Sequence, residues 1–193
     1  MSDAPAPTLA AKPTLLGGRV LLRPVRREDA AGLVELLTAP EVRRLTGTHG
    51  EVRPGVLERA REWYSSRDEE DDRLLLAIVD RAGGSYVGEI ALENLDTANR
   101  SCTLRVALVG PRVFGLGYGR EAVGLVVTYA FEEAGLHRVE LEVLDTNPRA
   151  RHVYETLGFA HEGTRREAVA WDGEWIDMHS MAALATTWRL RAR

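Results

Sequence analysis

This 193-residue sequence has one lysine and one cysteine, two residue types on which much enzyme chemistry depends. The lysine is Lys12, in a Pro/Ala-rich segment near the N-terminus, and every other basic residue is arginine. Schiff-base and pyridoxal chemistry is excluded on that ground, as is a P-loop, which needs its own lysine. With Cys102 as the only thiol, there is no disulfide framework, no CxxC redox pair and no zinc site built on several thiolates. The histidines (His49, His137, His152, His161 and His179) show no ligand spacing, so no metal is expected. Excess positive charge is lacking too. The 25 basic and 29 acidic residues leave a formal charge of −4, which argues against nucleic acid or an anionic membrane as the main partner. No apolar run approaches the roughly 18 residues that span a bilayer, and residues 1–14 lack the apolar core of a signal peptide. A soluble cytoplasmic protein is the expectation.

Apolar residues make up 45% of the chain and charged residues 28%, a globular balance. The length suits one domain, which can bury roughly 70% of its unfolded surface without disulfides or metals. Three prolines within residues 1–14 predict a flexible arm there, with a single domain over 15–193.

Val20 to Arg23 reads as a short strand ended by Pro24. Ala31, Leu33, Val34 and Leu37 have helical spacing over 28–38, and Ala39-Pro40 is expected to stop that helix. A second helix is predicted from about Pro54 to Arg67. Leu74–Val79 and Tyr86–Asn94 form a hairpin around Arg81-Ala82-Gly83-Gly84-Ser85, and Cys102–Val109 is a further strand. Beyond a glycine-rich loop, Arg120–Ala134 reads as the longest helix, closed by Gly135. Val139–Leu144 is a strand, and Asn147-Pro148 starts a helix that ends at Leu157-Gly158. Arg165–Trp171 and Glu174–Ala182 flank Asp172-Gly173, a strong two-residue hairpin signal. The class is α/β (α+β): a mixed, mostly antiparallel sheet flanked by helices, with a central strand–loop–helix–strand–helix unit.

The loop before the longest helix reads Phe114-Gly115-Leu116-Gly117-Tyr118-Gly119-Arg120. Alternate glycines let the backbone turn tightly and approach a ligand, while the helix N-terminus behind them favours phosphate. The dinucleotide fingerprint G-x-G-x-x-G fails, because Arg120 stands where its third glycine belongs. Packing alone would also explain a glycine-rich helix entry.

Further motifs accompany the loop: Leu141 to Gly158-Phe159, with Asn147 and Tyr154 inside it, and Asp172-Gly173-Glu174-Trp175-Ile176-Asp177. Together with Leu21-Leu22-Arg23-Pro24 and Val87-Gly88-Glu89, they resemble the GNAT superfamily of acyl-CoA-dependent N-acetyltransferases, most closely its RimJ/RimL-like branch. The resemblance implies that the CoA pyrophosphate lies on the loop Phe114-Gly115-Leu116-Gly117-Tyr118-Gly119, with Arg120 beside it. It also implies that the pantetheine arm pairs with Ala107-Leu108-Val109, that Asn147 touches the cofactor and that Tyr154 lies near the sulfur. Two positions depart from the family pattern. Phe114 replaces the usual Arg or Gln opening the loop, and Ala150 replaces a serine often found three residues after the asparagine.

Acetyl transfer to an amine needs a deprotonated nucleophile, an oxyanion stabiliser and an acid for the thiolate. Tyr154 is the acid the resemblance selects; a core tyrosine beside Leu157 is the alternative. Glu89, mid-strand among Val87, Ile90 and Leu92, is the candidate base. Glu93 and Asp96 follow on the same stretch, and all three could simply line a solvated strand face. At pH 7 an α-amine of pKa near 7.8 is roughly 15% neutral, whereas a lysine amine near 10.4 is neutral at well under 0.1%. That difference spares a base about 3.5 kcal/mol and agrees with a protein N-terminal α-amine as acceptor. A small-molecule or antibiotic amine, and a non-catalytic acyl-CoA-binding module, remain open. A homodimer is in keeping with the branch. Cys102 reads as a small buried side chain, and Glu69-Glu70-Asp71-Asp72 as a solvated turn. Trp171, Trp175 and Asp177 are weighed between acceptor cleft and packing.

Overall fold

Leu74 to Val79 is apolar at every position because both faces of that strand are covered, and this continuous run marks the middle of the molecule. The computed structural model describes residues 5–66 and 70–191, with side chains through Trp188. Eight strands form one sheet: β1 (Leu15–Leu16), β2 (Val20–Pro24), β3 (Leu74–Asp80), β4 (Tyr86–Asp96), β5 (Ser101–Leu108), β6 (Arg138–Leu144), β7 (Ala160–Trp171) and β8 (Glu174–Leu184). Their spatial order is β1-β2-β3-β4-β5-β6-β8-β7, antiparallel except for the β5–β6 pair. The helices are α1 (Ala30–Thr38), α2 (Pro40–Thr46), α3 (Val56–Ser65), α4 (Tyr118–Glu132), α5 (Pro148–Leu157) and α6 (Ala185–Arg191).

Alternation along the strands divides the core in two. Leu74, Leu76 and Ile78 join the cluster containing Val123, Val126, Val127 and Phe131 of α4. Leu75, Ala77 and Val79 join Ala30 and Leu33 of α1 and Ala60 and Tyr64 of α3. The sheet thus separates two helical layers, in agreement with the class expected from the sequence.

Several boundaries differ from the sequence-based expectation. The buried face of α1 is Ala30, Leu33 and Leu36, with the expected Val34 and Leu37 packed at its edge and Ala31 outside; a 3-10 turn over Arg27–Asp29 leads into the helix. Asp29 is held there by a bidentate pair with Arg23, at 2.7 and 2.8 Å. Ala39-Pro40 stops α1 at Thr38 as expected, but Pro40 also begins a second helix that the sequence pattern did not predict. The proline takes the first position of α2, where its missing N–H costs nothing. The helix expected from 54 to 67 is α3, which is shorter, and Arg67 lies outside the described residues. β7 begins at Ala160 and absorbs register shifts after His161 and after Arg165, so its alternation is locally broken. Asp177 supports the second shift by accepting the Glu167 N–H at 2.8 Å. Asp172 and Gly173, at φ 49° and 84°, form the tight turn that their sequence predicts.

The flexible arm expected over residues 1–14 is corrected from Pro7 onward. Leu9 is fully buried, and the Thr8 N–H donates to the Ala134 carbonyl at 3.2 Å. Lys12 Nζ donates to the carbonyls of Leu9 at 2.9 Å, Arg73 at 2.6 Å and Glu70. The ammonium binds the segment to the turn before β3, and the prolines do not prevent this. Residues 1–4, and Glu69 of the acidic run, lie outside the described residues.

At Gly88 of β4 there is no room for a side chain beside β5. A Cβ there would lie 2.2 Å from the Ala107 carbonyl oxygen and 2.9 Å from Leu108 Cα, both backbone atoms. Gly88→Ala is therefore expected to lose about 1–3 kcal/mol of stability, measured as a lower urea midpoint with unchanged slope.

Candidate active site

β5 and β6 pair in parallel only at Ser101↔Arg138, Cys102↔Val139 and Thr103↔Glu140. Beyond Thr103 they part, β6 continuing along β8 and β5 along β4. The wedge between them opens into two cavities, of about 670 and 320 Å³. They share Leu45, Thr46, Val106, Ala107, Asn147 and Tyr154 as walls. Leu45 and Thr46 come from α2, the helix that sequence reasoning missed, which packs on both diverging strands.

The smaller cavity gathers most residues expected at a cofactor: Ala107, Leu108, Phe114, Gly115, Gly117, Tyr118, Gly119, Arg120 and Asn147. Val109 and Leu116 are exceptions. Val109 is buried in the core and donates its N–H to the Val87 carbonyl at 3.0 Å, so its backbone faces β4. By strand alternation the backbone groups facing the open wedge belong to Val106 and Leu108 instead. Leu116 points outward, half exposed.

Gly115 and Gly117 have φ of 76° and 88°, the left-handed region that glycine enters at least cost. A Cβ on Gly115 would meet nothing within 4 Å, so the loop borders open space. Gly117 is the N-cap of α4 and has no side chain to cover the first-turn N–H groups. The nearby acid Glu121 is drawn off, accepting the N–H groups of Gly18, Arg19 and Val20 at 2.7, 2.8 and 3.0 Å. The helix end therefore keeps an anion-binding character, with Arg120 and Arg149 among the cavity walls. Sequence reasoning missed Arg149, whose guanidinium lies 4.4 Å from the centre of the Phe114 ring. Tyr118 donates to Asp80 at 3.0 Å, and Asn147 Oδ1 accepts the Ala150 N–H at 3.2 Å as the cap of α5. With that oxygen occupied, further contacts of Asn147 would fall to its NH₂ group.

Tyr154 and Glu89 both border the larger cavity. Tyr154 is nearly buried on α5, and burial pushes its phenol up to about 12, so it stays a proton donor at neutral pH. Glu89 stands between Ala77 and Ala107 in register, which leaves space above its carboxyl group. Burial pushes that carboxyl above the ordinary range, opposed by the Tyr64 hydroxyl donating at 2.6 Å. The other candidate carboxylates are committed elsewhere. Glu93 pairs with Arg73, and with Arg105 at 3.5 Å, while Asp96 accepts from the Asn99 backbone and side chain.

The remaining tentative residues fall outside both cavities. Trp171 stacks on His49 at 5.2 Å, Trp175 is exposed, and Asp177 holds the β7 irregularity. Burial raises the Cys102 thiol to about 12, which leaves no thiolate nucleophile. Among the described residues no cluster of three or more metal-ligating side chains occurs. No described helix is long and apolar enough to cross a membrane.

Comparison with known proteins decides the family. Residues 19–160 match the family model described as an acetyltransferase (GNAT) domain. The chain belongs to that family. A spermidine N(1)-acetyltransferase of Vibrio cholerae is 28% identical over 115 residues, covering 60% of this chain and 66% of the relative. The putative ribosomal N-acetyltransferase YdaF of Bacillus subtilis is 33% identical over 105 residues, covering 54% and 57%. These matches span between about half and two-thirds of the relatives' lengths. The crystal structure of the Vibrio cholerae spermidine N-acetyltransferase in complex with CoA and spermine shares the fold. Its TM-score is 0.79 at 21% identity, over 90% of this chain and 99% of that one. In this GNAT domain the wedge, the glycine loop and the start of α4 form one continuous cradle.

Gly117→Ala would force an alanine into the left-handed region, at a cost of roughly 1–2 kcal/mol. The loop relaxes by turning its N–H groups. Acetyl-CoA affinity by titration calorimetry is expected to fall about tenfold, with the fold retained.

Proposed function

We propose that this GNAT domain transfers the acetyl group of acetyl-CoA to a primary amine, in the manner of the RimJ/RimL-like branch, with a protein N-terminal α-amine as the preferred acceptor. What carries the reading is that Tyr154 and Glu89 border one cavity, and that this cavity meets the glycine-loop cavity at Ala107 and Asn147. The cradle suits a CoA pyrophosphate through backbone N–H groups, a helix N-terminus and arginine, with no lysine required. Val106 and Leu108 offer the backbone groups along which pantetheine would pair. Acetyl-CoA supplies the acyl group and the leaving thiolate.

The protein's residues manage two protons. As the amine nitrogen bonds to the acetyl carbon, Glu89 takes its proton. As the carbon–sulfur bond breaks, Tyr154 gives its proton to the sulfur. Exchange with water then resets both groups. The raised position of the Glu89 carboxyl suits it to an α-amine, which loses its proton more readily than a lysine amine.

A second reading is a small cationic amine such as a polyamine. The spermidine-acetylating relative favours it, as do Glu140, Glu142 and Glu162 in the larger cavity. Arg138 pairs with Glu140 and Glu162, and Arg165 with Glu142, which leaves that wall with little net charge.

Thiol release from acetyl-CoA with N-terminal peptides, polyamines and aminoglycosides tests the acceptor class; faster turnover of a polyamine than of any peptide would reverse the preference. Tyr154→Phe should bind acetyl-CoA normally and lose roughly a hundredfold in kcat. Unchanged turnover would remove the acid assignment, and binding without release for every amine would make the domain an acyl-CoA-binding module. Activity should also fall as pH drops through the raised Glu89 pKa. That acidic limb should lie above the ordinary carboxylate range and vanish in Glu89→Gln.

A further inference from the structure

Tyr64 ends α3 with its side chain almost wholly buried, and a buried phenol needs a partner. It has two. Its hydroxyl lies 2.6 Å from Glu89 Oε2 and 3.0 Å from the Tyr86 hydroxyl. An ionised carboxylate has no hydrogen to give, so the Tyr64 hydrogen points to Glu89. Tyr86, with a single hydroxyl hydrogen, lies within reach of both Tyr64 and Glu89. The two phenols and the carboxyl form one chain of hydrogen-bonded groups. Burial and the neighbouring carboxylate push both phenols far above their ordinary value, which keeps them as donors.

The far end of this chain is clamped. A Cβ on Gly32 of α1 would lie 2.2 Å from Tyr86 Cδ1, so the tyrosine ring rests directly on the helix backbone. α1 and α3 also pack on each other, so two helices hold the two phenols. Tyr86 also bonds to Glu89 directly and holds its carboxyl down, less strongly than Tyr64 does. Ala77 of β3 and Ala107 of β5 flank it in register, while Arg105 of β5 and Arg73 before β3 attract it from greater range and are paired with Glu93. A guanidinium bonded directly to Glu89 would hold the carboxyl low and weaken it as a base. A neutral donor orients it at less cost to its basicity.

We propose that Tyr64, backed by Tyr86, is the positioning residue of this enzyme: it aims the Glu89 carboxylate across β4 toward Ala107 and the acyl end of the wedge. The inference rests on the reading of Glu89 as the base that accepts the amine proton. Tyr64 touches no reacting atom and acts only through Glu89.

The pH dependence of kcat/KM for the wild type, Tyr64→Phe, Tyr86→Phe, Glu89→Gln and the Tyr64→Phe/Glu89→Gln double variant tests this, with acetyl-CoA affinity measured in parallel. Loss of the Tyr64 donor should move the acidic limb up by about one pH unit, leaving acetyl-CoA affinity unchanged. Tyr86→Phe should move it in the same direction by less. In the Glu89→Gln background, Tyr64→Phe should cost nothing further. An unshifted limb in Tyr64→Phe, or an equal loss in the Gln background, overturns the positioning role and leaves Glu89 as the base. A Glu89→Gln variant with wild-type rate and profile overturns both. If Tyr64→Phe does not fold, fluorotyrosine introduced at position 64 decides: a stronger donor to Glu89 should move the limb down, and an unmoved limb overturns the proposal.

Discussion

The parting of β5 and β6 after Thr103 and Glu140 is the constraint on which the rest of this structure depends. Two parallel strands that stop pairing leave backbone groups without a ladder partner, and such groups need a ligand or water. Three elements converge on that opening: the glycine loop after β5, the start of α5 after β6, and α2 across both. A strand that had gone on pairing to Leu108 would have closed the wedge and separated Tyr154 from Glu89.

Around the wedge the sheet carries opposite chemistry on its two arms. At the loop, cationic character comes from N–H groups, a helix end and arginines, and Glu121 is diverted to the β1–β2 turn. Along β4 and β6 there are carboxylates, most of them bound by arginine. Asp96, held by Asn99, and Glu89 are the exceptions; Glu89 is bonded to a phenol, which is why its basicity responds to burial more than to a neighbouring charge.

Much of this was legible from local signals. Asn147-Pro148, Gly158 and Asp172-Gly173 mark their turns because capping and left-handed backbone depend on nearest neighbours. The loop Gly115 to Gly119 was legible for the same reason. α2 was not: Ala39-Pro40 ends α1 as its sequence predicts, but only packing against β5 and β6 makes the same proline begin a second helix. On α1 the expected Leu33, Val34 and Leu37 do reach the core, whereas Ala30 and Leu36 were not legible as its most buried positions. The N-terminal segment looked like a free arm, because what holds Lys12 is a set of carbonyls some sixty residues away.

By itself the sequence determined the order and kind of most elements, the glycine cradle, and the absence of lysine and multi-thiol chemistry. These follow from residue types and from neighbours within a few positions. Only the tertiary structure decided which strand residues face the wedge, which carboxylates are paired by arginine, and that Tyr64 and Tyr86 stand behind Glu89. Those outcomes depend on register, helix rotation and burial, which residues far apart in the chain determine jointly.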